Sequence, residues 1–301
     1  MRLFLLLDRR PHGTLSPLLA EVIDLLADRG IEVRAGVAER MLVRPDMLEP
    51  AHDLYLLKSY TDLALSLAAI LHDQGARILN PYPACAMLRD KVVTSRRLRA
   101  AGIPAPSCWV TGDLSVLRTE TQTRPLVVKP VRGLHGAGVR IVRGAADVAT
   151  LSPAVGPLLV QEYVPGDEDL KVYVVGERVF AVRKQFSPTS FSAPGRACAV
   201  EPAIREVALR CGQTFGLGLY GLDIIEGTDG PAVVDVNYFP GYRGVSDAPR
   251  ALASYIEEFA RGRVPLEWPA APVGEGPRCA LAATSLEEPT APLLAAARPS
   301  A

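Results

Sequence analysis

The chain has 301 residues, of which 49% are hydrophobic, with 33 basic and 33 acidic side chains. That length supports two or three lobes with substantial cores, and the zero net charge excludes a general field for nucleic acid or an anionic membrane surface. The five cysteines (Cys85, Cys108, Cys198, Cys211, Cys279) are odd in number and scattered, which fits reduced, buried thiols better than a disulfide frame or a zinc site.

The opening run Met1 to Asp8 is too short for a secretory core and reads as a buried strand. No apolar run is long enough to span a bilayer, so a cytoplasmic enzyme with no nucleic-acid or membrane partner is expected. Pro17 to Arg29 has helical spacing closed by Gly30, Ile31 to Val37 and Leu54 to Leu57 are strand-like, and Thr61 to His72 is helical. This alternation predicts a small parallel sheet with helices on its faces over residues 1–84. Lys58-Ser59-Tyr60-Thr61-Asp62 falls where a strand ends and a helix begins, the usual ligand-binding end of such sheets. Lys58 there suits an anionic or hydroxyl-rich substrate. A plain N-cap by Ser59 or Thr61 explains the same residues equally well.

Asn80-Pro81-Tyr82-Pro83 marks a boundary, and one helix is expected from Ala84 to Ala100, carrying Lys91. Leu126 to Pro130 is a strand whose Lys129 is hemmed by apolar residues, a costly place for a charge without a counter-charge. Gly133-Leu134-His135-Gly136-Ala137-Gly138 follows, a loop whose N–H groups can close over phosphates, before a strand at Val139 to Val142. His135 either touches a phosphate or an incoming hydroxyl, or is an uninvolved surface histidine. Leu158 to Val164 is a further strand, broken by Pro165-Gly166. Lys171 to Gly176 opens another, paired with Val179 to Lys184. Arg183 and Lys184 end that strand with charges suited to a γ-phosphate or a phosphorylated intermediate, or simply to blocking a sheet edge. Glu201 to Gly216 reads as a helix with Ala208, Leu209 and Phe215 inside. A last helix covers about Pro249 to Arg261, and residues 265–301 have the composition of a disordered tail.

Gly221 to Ile225 and Ala232 to Val236 are apolar runs joined by a Gly/Asp turn, an antiparallel hairpin. Asp235 and Asn237 share a face. With Asp223 on the partner strand they form an oxygen-rich site suited to Mg²⁺ shared with nucleotide phosphates, although either acid alone reads as an ordinary strand-end residue.

Asp223, Asp235 and Asn237, preceded in order by Lys91, Lys129-Pro130, the glycine-rich loop and Gln161-Glu162-Tyr163-Val164, resemble the ATP-grasp superfamily over about residues 80–245. The resemblance implies an α/β (α+β) fold, with an N-terminal parallel α/β lobe (1–84) and two antiparallel-sheet lobes (85–165 and 166–264) clasping ATP. It implies that Lys91 and Lys129 reach the phosphates under a flap containing Gly136 and Gly138. Gln161, Glu162, Tyr163 and Val164 then line the adenine, and Asp169, or its neighbour Glu168, lies near the ribose. Asp223, Asp235 and Asn237 would hold one or two Mg²⁺, for which Mn²⁺ can substitute. Arg183, Lys171 and His135 are the expected catalytic groups, with Lys58 and Gly241 on the acceptor side.

The segment Asp235 to Val245 and the Lys171 to Gly176 strand resemble inositol tris/tetrakisphosphate kinases, and more distantly the chain is similar to ribosomal-protein glutamate-ligase-like carboxylate-amine ligases. The kinase resemblance implies phosphoryl transfer from ATP to a hydroxyl of a small polyol, a cyclitol of inositol-like or amino- or guanidino- type. The alternative is an amide-forming ligase working through an acylphosphate. A nucleotide-binding regulator without turnover is a third reading, against which the intact lysines and metal ligands argue. A homodimer is compatible with all of these.

Overall fold

In a computed structural model the described residues are 1–8, 15–114, 117, 124–133, 136–151, 156–166, 168–185, 195–228, 230–267, 269 and 270. The leucine-rich runs near the start form β1 (Arg2–Leu7), β2 (Glu32–Val37), β3 (Leu54–Lys58) and β4 (Ile78–Leu79), paired in parallel in the order β2-β1-β3-β4. Helices α1 (Pro17–Ala27) and α2 (Asp62–Asp73) provide crossovers. Ser16 caps α1 by accepting from Leu19 N, and Thr61 caps α2 by accepting from Ala64 N.

The single helix expected from Ala84 to Ala100 is instead two, α3 (Tyr82–Leu88) and α4 (Lys91–Ala100). Asp90 between them is extended, and its carboxylate accepts from Val92 N and Val93 N at 2.9 and 3.2 Å. That cap restarts the helix and makes Lys91 its first residue. A second sheet follows, β5 (Cys108–Thr111), β6 (Leu126–Pro130), β7 (Arg140–Val142) and β8 (Leu158–Glu162), antiparallel in the order β5-β8-β6-β7. With the short α5 (Ala145–Thr150) it encloses its own core of Leu126, Val128, Val142, Val148 and Val160.

The third sheet is antiparallel, β11-β10-β9-β12-β13, from β9 (Glu168–Val175), β10 (Arg178–Gln185), β11 (Arg196–Cys198), β12 (Leu219–Gly227) and β13 (Gly230–Tyr238). β9 therefore starts earlier than Lys171. β10 is not an edge, because β11 pairs with it from Ala181 to Arg183. Helix α6 (Pro202–Phe215) buries Ala208 and Phe215, leaves Leu209 half-buried, and ends at Gly216 with φ 64°, the left-handed geometry that glycine adopts without cost. Helix α7 (Ala248–Ala260) closes the lobe.

The first and third lobes share one hydrophobic core, and a buried asparagine stitches them together. Asn80 Oδ1 accepts from Gly218 N and Leu219 N, both at 2.9 Å, and its Nδ2 donates to Leu219 O at 2.7 Å. Tyr60 stacks on Tyr238 with centroids 4.3 Å apart, while Tyr238 donates its hydroxyl to Ser59 O. Of the expected tail, Pro269 and Ala270 accept from Arg97 Nη2 on α4, and residues 271–301 lie outside those described. No helix among the described residues is long and apolar enough to cross a membrane.

Candidate active site

Residues directly opposite in an antiparallel ladder share a face. Asp223 lies opposite both Asp235 on β13 and Lys171 on β9, and the register shifts immediately after Asp223. Strand alternation then puts Asp169, Lys171, Asp223, Asp235 and Asn237 on one face of the third sheet. Lys171 Nζ bridges Asp169 Oδ2 at 2.8 Å and Asp223 Oδ2 at 2.7 Å.

Two lysines reach this face from outside the sheet. Lys91, at the start of α4, donates to Asp235 Oδ1 and Oδ2 at 2.8 and 2.6 Å. Lys129 on β6 donates to Val234 O at 3.2 Å. Burial lowers the Lys129 pKa, and Lys91 adds to this against the pull of Asp235, Asp223 and Asp169. Lys171 goes the other way, because Asp223 and Asp169 outweigh its burial and raise its pKa. Asp169 is pushed up to about 6 by burial and by Asp223, and its Oδ1 is buried without a hydrogen-bond partner. That oxygen is an acceptor ready for a donor or a cation.

Gly136 and Gly138 have φ of 72° and 76°, and a Cβ on Gly138 would fall 2.7 Å from Pro130 Cγ, so the turn between β6 and β7 requires glycine there. His135 lies outside the described residues. Gln161 is buried and donates to Ser95 Oγ at 3.4 Å. Glu162 pairs with Arg124, and the Glu162 and Tyr163 amides donate to Ser107 O and Pro125 O at 3.0 and 3.2 Å. The side chain of Val164 lies near Gly227, whose added Cβ would meet Val164 Cγ1 at 2.9 Å. Lys58 is buried at the end of β3, its ammonium 5.4 Å from the Phe239 ring and 6.0 Å from that of Tyr60. Gly241 needs no positive φ, and a Cβ there would meet only the Arg243 side chain, at 3.8 Å. Neither conformation nor packing therefore demands a glycine at 241.

Arg183 does not join the cluster. It lies opposite Leu170, on the other face, where it pairs with Glu226 and lies 3.6 Å from Glu168. The cation on the active face of β10 is its neighbour Lys184, opposite Asp169 and only 7% exposed. Two adjacent basic residues gave no sequence signal to choose between them, since the phase of a strand is set by its partners. Asn80 was legible only as part of a chain boundary.

Two carboxylates and an amide are hard oxygen donors that fit Mg²⁺. Among the described residues no three His, Cys, Asp or Glu side chains converge on one point, so the amide of Asn237 is needed to complete the set. Lys91 and Lys171 hold the two carboxylates at salt-bridge distance, 2.6 and 2.7 Å.

Residues 88–254 match the RimK-like ATP-grasp domain. A probable alpha-L-glutamate ligase of Thioalkalivibrio sulfidiphilus (strain HL-EbGR7) is 31% identical over 212 residues, covering 62% of this chain and 69% of that protein. Its counterpart in Xanthomonas oryzae pv. oryzae (strain MAFF 311018) is 32% identical over 225 residues, 67% of this chain and 76% of that one. The crystal structure of a RimK domain ATP-grasp protein from Sphaerobacter thermophilus DSM 20745 superposes with a TM-score of 0.71 at 23% identity, over 85% of this chain and 99% of that one. The D-alanine--D-alanine ligase of Bacillus anthracis complexed with ATP gives 0.64 at 18%, over 87% and 98%. At these identities the structural likeness establishes the ATP-grasp fold.

The ligase names of the sequence relatives overturn the expected phosphoryl transfer to a cyclitol hydroxyl, and the resemblance to inositol phosphate kinases is not supported. The physical reason is that the motifs behind that expectation, Asp235-x-Asn237 and the Lys171 strand, line the face expected to handle nucleotide and metal. They carry no information about the acceptor. With more than half of its residues matched, the chain belongs to the RimK-like ATP-grasp family.

Proposed function

We propose that the protein is an ATP-dependent carboxylate-amine ligase, with L-glutamate as a substrate by similarity to its named relatives. The observation that carries this reading is the identity of 31% over 212 residues and 32% over 225 residues to probable alpha-L-glutamate ligases, and the interlocked set Lys91–Asp235 and Asp169–Lys171–Asp223 supports the nucleotide face such a ligase needs. ATP supplies a phosphoryl group that turns a carboxylate into an acylphosphate, which an amine attacks with release of phosphate. Asp223, Asp235 and Asn237 would hold one or two Mg²⁺, or Mn²⁺ in its place, and the metal would offset phosphate charge.

The chain's own residues bind and orient. Lys91 and Lys129 exchange Asp235 and Val234 O for phosphate oxygens, and the flap with Gly136 and Gly138 excludes water. Asp169 takes a ribose hydroxyl on its unpartnered oxygen, beside adenine lined by Gln161 to Val164. Lys171 bridges Asp169 and Asp223 and fixes their positions on the face. Lys58 and Gly241 lie on the acceptor side, where the protein takes small molecules rather than nucleic acid; a homodimer remains compatible with this reading.

The test is to incubate the protein with ATP, Mg²⁺, L-glutamate and a pool of amino acids and amines, following ADP, free phosphate and product mass. ADP and phosphate in equal amounts with a product heavier by one condensed residue is the expected result. ADP without free phosphate, and a phosphorylated acceptor, would overturn the ligase reading.

A further inference from the structure

The connection between α3 and α4 sends two cations in different directions. Lys91 reaches Asp235 on β13. Arg89, two residues earlier, turns to the first lobe and donates from Nη2 to Asp62 Oδ1, in the first turn of α2, at 3.3 Å. Asp90 between them caps α4, so one cap sets the position of both.

The Arg89 arrangement is incomplete. Its side chain is 13% exposed and that of Asp62 81% exposed, and Arg89 Nε is buried without a hydrogen-bond partner. Nε–H and one Nη2–H leave a guanidinium along the same edge, the edge that grips a carboxylate with two parallel bonds. Asp62 meets only one of the two, and at a long distance. Leaving a buried cationic donor unbonded is costly, whereas an ion pair whose acid stands in water contributes little and opens easily. Asp62 is thus a loosely held carboxylate at an edge that a better-placed one would fill.

The location is one where ligands bind. In the strand order β2-β1-β3-β4 the direction of winding reverses between β1 and β3, and open α/β sheets bind ligands in the crevice beyond the carboxyl ends at that reversal. Asp8, after β1, accepts from Tyr60 N, after β3, at 2.8 Å across it, and Asp62 follows directly. Tyr238, next to the proposed metal ligand Asn237, closes on the crevice from the third lobe by stacking on Tyr60. Burial raises the pKa of the Tyr238 hydroxyl and the Arg89 charge acts against that rise, so the guanidinium lies near this wall as well.

We propose that Arg89 binds a carboxylate of the substrate through its Nε and Nη2 edge, displacing Asp62, at the carboxyl end of the first-lobe sheet. The proposal rests on the ligase reading for what the anion is: the substrate is an amino acid or peptide with a free carboxylate that does not react. Held by Arg89, that carboxylate sets which end of the substrate faces the phosphate side, where Lys91 stands.

The full chain, loaded with Mg²⁺ and the non-hydrolysable analogue AMPPNP, is titrated calorimetrically with L-glutamate, glutarate and the uncharged glutaramide, in wild type, Arg89→Met, Arg89→Lys and Asp62→Asn. Wild type is expected to bind glutamate and glutarate in preference to glutaramide. Arg89→Met should weaken carboxylate binding about tenfold or more, the size of a charged hydrogen bond. Arg89→Lys should recover only a small part, because an ammonium lacks the two-donor edge. Asp62→Asn should strengthen carboxylate binding about two- to fivefold, the size of the exposed ion pair it removes, and leave glutaramide unchanged. AMPPNP affinity, measured first, should stay within about twofold in all variants, which also certifies the fold. Glutarate binding unchanged in Arg89→Met, a wild type that treats glutarate and glutaramide alike, or a loss in Arg89→Met confined to AMPPNP would overturn the subsite. So would carboxylate binding weakened in Asp62→Asn, since Asp62 would then be support and not competitor. These titrations involve no turnover: an amide product in the assay above with unchanged binding in Arg89→Met refutes the subsite alone, whereas a phosphorylated acceptor there refutes the ligase reading.

Discussion

Lys91 Nζ donates to both carboxylate oxygens of Asp235, at 2.8 and 2.6 Å, across a separation of 144 residues. This contact joins the start of α4 to β13. It pairs the residue proposed to reach phosphate with one proposed to hold metal.

Asp235→Ala should abolish turnover while leaving the fold cooperative, because it removes a metal ligand and frees Lys91 rather than opening the core. Thermal unfolding with one sharp transition and no ADP release is the expected pair of results; retained ADP release would sink the metal assignment. Lys91→Met should cost about 10²–10³-fold in kcat, the range for deleting one preorganised charge contact.

Lys129→Met separates stability from activity. Burial holds the lysine's pKa down, so the folded chain gains nothing from keeping an ammonium there without phosphate. A thioether of similar length should leave the melting temperature equal or raised by a few degrees. AMPPNP affinity should fall by about tenfold or more. A large drop in melting temperature with nucleotide affinity intact would contradict this.

Asp169 gives a pH signature. Its folded value, about 6, lies above the ordinary 3.8, so the native state binds more protons between those values than the unfolded chain. The associated stabilisation is present below about pH 3.8 and is lost as pH rises through about 6. Wild type should therefore lose melting temperature relative to Asp169→Asn between pH 4.5 and 6.5 (about the span of that titration). Parallel curves for the two proteins would refute the raised value.

Asn80→Ala tests the junction of the first and third lobes. It leaves Gly218 N, Leu219 N and Leu219 O without their buried partner, at a cost of about 2–4 kcal/mol. Asn80→Asp should be damaging as well, since it keeps the acceptor and loses the donor to Leu219 O. Chemical denaturation measures both.

Much of this molecule was legible without coordinates. The leucine run of β1, the Gly30 and Gly216 helix ends and the Asp223/Asp235 hairpin are local patterns, and their order along the chain pointed to the ATP-grasp fold. Local pattern failed where a local rule had two solutions. Asp90 was read as one more helical residue because both an N-cap and a continuing helix tolerate it, and only its bonds to Val92 N and Val93 N show which. The acceptor chemistry was misjudged because residues around the nucleotide face are shared between phosphoryl transfer and ligation.

The sequence by itself determined the main strands and helices, the Asp223/Asp235 hairpin among them, and which residue types crowd toward the site, since apolar periodicity, glycine geometry and side-chain chemistry are properties of short stretches. Only the tertiary structure decided that Lys184 and not Arg183 faces Asp169, that Asn80 ties β12 to the first lobe, and that Lys91 meets Asp235. A strand's two faces differ by a single residue of register, and that register is set by distant partners.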